Sequence, residues 1–488
     1  MTSPWILLTA LSGFAEPPDA SAPQETPLAE DPLGAFDWEA ASDEAVQVLS
    51  AYLQVDTRNP GPFELQGATF LGERLAAEGI PYEIEEYAPG RANLMARLPG
   101  DGSAGGPLCL LSHIDVVPWE AERWEGGPGP LSGAIEDGYV WGRGALDMKG
   151  MGVLELQGFI WLKRLGVPLR REVILLAVAD EEVDNGGARH LAEHRWDELN
   201  CAYVFNEGGM GVQDLLFDGQ TIYPVSVGEK GVLWVRLNAQ GEPGHGSTPV
   251  LERESPERLL QALDKVREHN AAQPLLWHPA MYELLNNAGL DRAGLERTVL
   301  TSPKLATVVL DDQLSENPVT RASMTTTWHV TGLEGARAPN IVPGVSSAVL
   351  DIRLYPGHSV EQALADLEGI IGDPLVEIEV ISQEEAGVSE WQGDPVYAAM
   401  VQHLTAGREH VVAGPAISPG FTDSIYLRAK GARAYGLVPF EVAEQELTTF
   451  HGPKERISVQ NVERGMEWML RVLWDVAGPG APQAPTAE

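Results

Sequence analysis

Short apolar runs rich in β-branched residues alternate with segments of helical period along most of the chain. That alternation predicts an α/β fold, with layers of helices around a mainly parallel sheet. Helical spacing covers "DEAVQVLSAYLQV" and "GATFLGERLAAEG", and strands fit "NLMARLP" and then "PLCLLSHIDVV". The helix "KGMGVLELQGFIWLKRLG" follows, with Gly166 as its stop signal. The strand "EVILLAVAD", the helix "GGARHLAEHRWDEL" and the strand "CAYVFNEGG" continue the order. After "YPVSVGEKG" the texture changes to alternating strands, "VLWVRLNAQG", "SSAVLDIRLYP" and "LVEIEVISQ", with helices between. This predicts an inserted α+β domain with an antiparallel sheet over 226–383, dividing the first domain into 37–225 and 384–477. The helix pattern "VERGMEWMLRVLWDVAG" returns to the first domain.

At 488 residues the chain exceeds what one core usually holds, in keeping with two packed domains. Residues 1–36 read differently. "WILLTALSGFA" looks like the apolar region of a signal peptide, without a preceding Lys or Arg, and "EPPDASAPQETPLAEDP" reads as a flexible linker. This favours export to a periplasmic or extracellular location over a cytoplasmic one. A Pro and Ala rich tail closes the chain over 478–488. No apolar run approaches the roughly 20 residues that span a bilayer.

Charge narrows the partners. Lys plus Arg number 33 against 71 Asp plus Glu, a net charge of -38, which repels phosphate backbones and anionic headgroups. Neither nucleic acid nor a membrane surface is an expected partner. The two cysteines, Cys109 and Cys201, sit in apolar runs and are expected to form neither a disulfide framework nor a thiolate zinc cluster. Any metal must then use nitrogen and oxygen ligands.

Three strands of the first domain end alike: "LCLLSHID", "VILLAVADEE" and "AYVFNEGG" run apolar and then expose His or carboxylates. In open α/β sheets ligands bind at that edge. One such end would be an ordinary polar strand terminus, but three in succession, with Glu181 beside Glu182, crowd like charges that a divalent cation would relieve. "GYVWGRGALDMKG" adds Asp147 just before a helix, where glycines let the backbone bend. "TTFHGPKERIS" supplies His451.

In that order and spacing, "SHIDVVP", "WGRGALDMKG", "ADEE", "NEGG" and "FHGPKERIS" resemble the dinuclear zinc metallopeptidases that include glutamate carboxypeptidase, aminoacylase, carboxypeptidase S and succinyl-diaminopimelate desuccinylase. The resemblance implies a three-layer catalytic domain with the insert as a lid or dimerisation domain. It implies two divalent ions per chain, zinc first with cobalt or manganese as alternatives. Asp147 would bridge them, His113 and Glu207 would hold one ion, and Glu182 and His451 the other. Glu181 would be the general base, taking a proton from the attacking water and passing it to the leaving amine. Asp115, on the same strand face as His113, would hold the imidazole's other nitrogen.

The insert is expected to complete the site. By resemblance, His245 in "GEPGHGSTP" would stabilise the oxyanion, often across a dimer, Asn340 in "APNIVPG" would be a polar contact, and Arg353 in "DIRLYPG" a carboxylate clamp. Pairing of Arg353 with Asp351 is the alternative. In "SPGFTDS", which looks like the family's glycine loop and carries Thr422, Phe421 stands where a second glycine is usual. The helical stretch "LLWHPAMYELLNNAGLDRAGLERTVLTSPKLATVVLDDQ" and the "VGEKG" strand start lean toward the carboxypeptidase S branch. The expected reaction is hydrolysis of an amide beside a free carboxylate, in a short peptide or N-acyl amino acid, with a homodimer through the insert. Trp234, Trp277 and Trp328 would line an acyl pocket or else belong to the core. Two rivals stand: an inverzincin-type protease using His190 and His194 of "HLAEH", and a metal-binding relic of the same fold without activity.

Overall fold

Continuous apolar runs bury both faces of a strand, and the first sheet is built on two of them. The computed structural model describes residues 33–482. The signal-like stretch, the linker up to residue 32 and the tail from 483 lie outside the described residues. From Trp38 onward the chain is one compact unit that holds two principal sheets.

The strands of those sheets are β1 (Tyr82–Ala88), β2 (Arg91–Leu98), β3 (Leu108–His113), β4 (Val173–Val178), β5 (Tyr203–Gln213), β6 (Thr221–Glu229), β7 (Gly231–Gln240), β8 (Thr327–Glu334), β9 (Val345–Leu354), β10 (Val376–Glu384), β11 (Val411–Ser418) and β12 (Arg433–Ala443). The first sheet runs β1-β2-β4-β3-β5-β12-β6, with β11 and the two-residue strand Gly387–Val388 also paired to β6. Its centre, β4-β3-β5-β12, is parallel. Its margins are antiparallel at β1-β2, β2-β4 and β5-β6, so the sheet is mixed around a parallel centre. Every residue of β3 and β4 is buried, as a strand covered on both faces requires.

Helices Trp38–Leu53, Lys149–Arg164 and Val459–Val476 pack together on one face. The last two meet at Gly158, where a Cβ would stand 2.7 Å from Met469 Cγ, so only glycine permits that approach. On the other face Cys109, Leu111, Ile174 and Leu176 pack with Leu191, Leu199 and Leu427. Here one expectation is overturned: Cys109 and Cys201 form a disulfide, with their Cα atoms 5.8 Å apart. Cys201 lies just ahead of β5, the hydrogen-bonded neighbour of the strand that carries Cys109, so folding brings together two thiols 92 residues apart.

The second sheet, β8-β9-β7-β10, is antiparallel throughout. Burial alternates residue by residue along β9, as in a sheet covered on one face. That face packs Leu233, Val235, Leu350 and Ile352 against helices Ser255–Ala271 and Val360–Ile371. The chain crosses between the sheets at Lys230, between β6 and β7, and again after β10. The additional helical stretch forms helices from Pro279 to Ala322, and the first of them, Pro279–Leu290, packs against β11.

Candidate metal centre

The carboxyl ends of the parallel strands place the chemistry. His113 closes β3, Glu181 and Glu182 follow β4 in a turn, and Glu207 lies within β5. Asp147 lies two residues ahead of the helix Lys149–Arg164, and His451, with φ +54°, sits in the loop before the short strand Arg456–Ser458 that leads into the terminal helix. His113 Nε2 is 3.0 Å from Asp147 Oδ1 and 3.8 Å from Glu207 Oε1. His451 Nε2 is 2.6 Å from Asp147 Oδ2 and 3.4 Å from Glu182 Oε2. Asp147 thus turns one oxygen toward each imidazole. Ligand atoms of His113, Asp147 and Glu182 lie within 4.8 Å of one another, as do those of His113, Glu181 and Glu207.

Electrostatics favour a cation in this space. Burial pushes Glu181 well above the usual carboxylate range, with Glu207 adding to it, and burial with Asp147 does the same to Glu207. Burial also raises Glu182. Asp147 goes the other way: burial would raise it, but hydrogen bonds from His113 and His451 hold it well below its ordinary value. Hydrogen bonds to Asp147 and Glu182 push His451 up to about 10. Burial opposes charge on His113, yet the Asp147 bond and the Glu207 carboxylate raise it well above the ordinary imidazole value. Protons here perform the task a divalent ion would perform better. Glu182 Oε1 is buried without a hydrogen-bond partner, an atom that coordination would satisfy. Imidazole nitrogen and carboxylate oxygen are the donors that zinc and neighbouring divalent metals accept.

Asp115 acts differently from expectation. His113 Nδ1 donates to the Asp115 backbone carbonyl at 2.9 Å, while the nearer carboxylate oxygen stands off at 3.6 Å. A carbonyl can only accept, so Nδ1 carries a proton, and Nε2 is the nitrogen turned to Asp147. The Asp115 carboxylate instead accepts the backbone N–H groups of Glu181 and Glu182, each at 3.1 Å. It therefore fixes the turn that presents both glutamates.

Sequence reasoning missed the residues behind this turn. Asn59 Nδ2 donates to Asp115 and to Asp180, both at 2.8 Å, and Arg91 joins Asp180 to Glu64. Asp423 is fully buried, accepts from Asn185 at 3.0 Å, and is pushed up to about 7 chiefly by burial. Arg143 and Glu455 pair where the Asp147 and His451 loops meet. None of these carries a motif signal by itself, although "NPG" and "TDS" mark turns.

Among the described residues, none of the substrate-side candidates makes a hydrogen bond to a side chain of the cluster, although Thr422 accepts from Asn206, the neighbour of Glu207, at 3.3 Å. His245 and Asn340 neighbour each other in the second domain, where Gly246 N–H donates to the Asn340 carbonyl at 2.9 Å. Both are exposed, and His245 Nδ1 accepts from the Ser247 amide at 3.2 Å rather than joining the acidic groups. Thr422 is buried, with its N–H donating to Glu229 at 2.6 Å and its hydroxyl at 3.0 Å, so it anchors its loop. Arg353 pairs with Asp351, Nε to Oδ1 at 2.7 Å and Nη2 to Oδ2 at 3.0 Å, which is the alternative weighed from sequence. Its guanidinium also lies against the rings of Phe421 and Trp234. Trp328 is core, and Trp277 donates to Asp311. For the inverzincin rival, His190 is 3.0 Å from Glu85 and His194 is exposed; neither joins a metal-capable group among the described residues.

Comparison with known proteins gives the chain its relatives. The chain is 25% identical to the human N-fatty-acyl-amino acid synthase/hydrolase PM20D1, over 80% of this chain and 77% of that protein. It is 27% identical to aminoacylase-1A of Rattus norvegicus, over 90% of this chain and 97% of the relative. These relatives do not single out the carboxypeptidase S branch. Among solved structures, the M20 family metallo-carboxypeptidase Sso-CP2 from Sulfolobus solfataricus shares the fold, with a TM-score of 0.65 at 20% identity, covering 88% of this chain and 98% of the other. The model of peptidase family M20/M25/M40 matches residues 109–475, from the strand that carries His113 to the terminal helix, and the protein belongs to that family.

Proposed function

We propose that the protein is a dinuclear metal-dependent hydrolase of amide bonds adjacent to a free carboxylate, in N-acyl amino acids or short peptides. The observation that carries this is Asp147, whose two oxygens face two different imidazoles while Glu181 stands beside the same cluster. His113 and Glu207 would hold one ion, Glu182 and His451 the other, and Asp147 both. Zinc suits the donors best, with cobalt or manganese as substitutes. When bound, such ions supply Lewis acidity toward water and the scissile carbonyl.

The chain's own residues do the rest. Glu181 follows Asp180, whose φ of +73° turns the backbone, and its amide is pinned by Asp115. Being next to Glu182 but grouped with His113 and Glu207, it would take a proton from the attacking water and deliver it to the leaving amine. Arg353 is proposed to meet the substrate carboxylate. His245 and Asn340 would reach the substrate by closure of the second domain or from a second copy in a homodimer through that domain. The names of the relatives, a fatty-acyl-amino acid hydrolase and an aminoacylase, support the N-acyl amino acid class.

The test is a panel of N-acyl amino acids and dipeptides with mass-spectrometric detection, run on metal-loaded protein with Glu181→Gln as the blank. The wild type should cleave at least one class, and the variant should bind metal normally but turn over about 10²–10⁴-fold more slowly. Equal turnover by both proteins would remove Glu181 from the base role. A wild type that binds two ions per chain yet cleaves nothing would favour the non-catalytic metal-binding relic.

A further inference from the structure

The two loops that carry Asp147 and His451 come from distant parts of the chain, and a single buried ion pair fastens them. Arg143 Nη1 and Glu455 Oε2 are 2.6 Å apart, and both side chains are almost wholly buried, at 2% and 0% exposure. The partners lie 312 positions apart. Each then grips the other's loop by its backbone. Glu455 Oε1 accepts the N–H groups of Gly144, Leu146 and Asp147 at 3.1, 2.8 and 3.3 Å. Arg143 Nη2 donates to the carbonyls of His451 and Gly452 at 3.1 and 2.8 Å. The Glu455 backbone carbonyl also accepts from the Gly142 amide at 3.1 Å.

The residues so gripped are the ones that hold the far side of the cluster. Asp147 has its amide fixed by Glu455, and His451 has its carbonyl fixed by Arg143. His451 needs this support, for it sits in a left-handed backbone conformation at φ +54° with its side chain nearly half exposed, so its own packing does little to hold it. His113, by contrast, closes a buried strand and is held by its neighbours' ladder and by the Asp115 carbonyl.

We infer that Arg143 and Glu455 are positioning residues that set the reach of His451 toward Asp147 and Glu182, and so govern occupancy of the second ion. The inference rests on the dinuclear reading of the site. The hydrogen bonds of the pair to the two loops all go to backbone groups, so it acts on affinity through backbone placement. Residues that orient metal ligands in this way typically change affinity by roughly 10–100-fold when replaced.

The experiment is an equilibrium titration of chelator-stripped protein with Co²⁺, followed by visible absorption and read beside thermal unfolding. Wild type, Glu455→Gln, Arg143→Lys and His451→Ala are compared. Glu455→Gln keeps an oxygen for the three amides but loses the ion pair; Arg143→Lys keeps the charge but loses the fork that reaches two carbonyls. Both should bind the first ion with wild-type affinity and the second about 10–100-fold more weakly, with the one-ion spectrum matching that of His451→Ala. Retention of both ions at wild-type affinity in either folded variant would overturn the inference. Loss of folding in both would overturn it too, since the pair would then serve stability alone. A wild type that binds a single ion would sink the dinuclear reading itself, an outcome separate from the behaviour of the variants.

Discussion

Arg353 is a guanidinium with one edge of its fork already engaged. Asp351 takes Nε and Nη2, Trp234 Nε1 donates to the same Asp351 at 3.0 Å, and Phe421 covers a face of the group. Asp351 takes one N–H from Nε and one from Nη2, so a substrate carboxylate would meet the outer Nη1–Nη2 edge through charged hydrogen bonds in a strongly oriented frame. A charged hydrogen bond of this kind contributes about 1.5–3 kcal/mol, which converts to roughly 10–100-fold in affinity. Lysine keeps the charge but loses the fork that Asp351 orients. Arg353→Lys should therefore raise KM for N-acyl amino acids by about that factor and leave kcat within a few-fold. Steady-state kinetics on an acid and its neutral amide analogue would check it: an equal rise for both substrates would mean that Arg353 shapes the pocket instead of reading the carboxylate.

Between the two sheets the chain passes through Lys230, a residue 1% exposed at the end of β6. Its ammonium donates to the Ala322 carbonyl and the Thr327 hydroxyl, each at 3.0 Å, and burial with help from Arg353 lowers it to about 7. An unfolded lysine titrates near 10.5, so between those values the unfolded chain binds the extra proton and stability rises with pH. The cost of the buried charge is complete below about pH 7 and gone near 10.5. Lys230→Met removes it, so the variant should gain most over wild type near neutral pH, by a few kcal/mol at most, and the gap should close toward pH 10. Urea melts at pH 7 and pH 9.5 would decide, and a gap independent of pH would refute the account. This junction was legible only as a change of texture after "YPVSVGEKG", and the same limit holds for other elements. Period and length marked the strands, because a fully buried strand reads as one apolar run, and polar residues at their carboxyl ends marked His113, Glu181, Glu182 and Glu207. Strand neighbours leave no such trace: nothing local says that β2 runs against β4, or that Cys201 arrives beside Cys109. The role of Asp115 was hidden for a related reason, since only the turn at Asp180 decides which groups its carboxylate meets. Arg143 and Glu455 lay inside the motifs that carried the resemblance, yet residues that close contacts over hundreds of positions have no spacing rule.

The net charge of -38 makes the whole molecule sensitive to what neutralises its acids. Most of those described are on the surface, where water and salt screen them, but Glu181, Glu182 and Glu207 are half-buried in one space, where burial raises the pKa of all three and Glu207 raises that of Glu181 further. With chelator present, those groups titrate above the ordinary carboxylate value in the folded state and at that value, near 4.5, once unfolded. The folded protein then binds more protons across the interval, and stability falls as pH climbs from about 5 toward neutrality. Divalent ions bound there would replace those protons, and the loaded protein would gain stability by mass action that grows with the logarithm of ion concentration over Kd. Chelated protein should therefore unfold at a higher temperature at pH 5.5 than at pH 8, whereas zinc-loaded protein should show the larger stability at pH 8, where deprotonated ligands bind metal best. Calorimetric scans of both forms at the two pH values check the crossing. Parallel pH profiles with and without chelator would mean that the cluster's protons are not exchanged for metal, and that the acids are held apart by the surrounding fold alone.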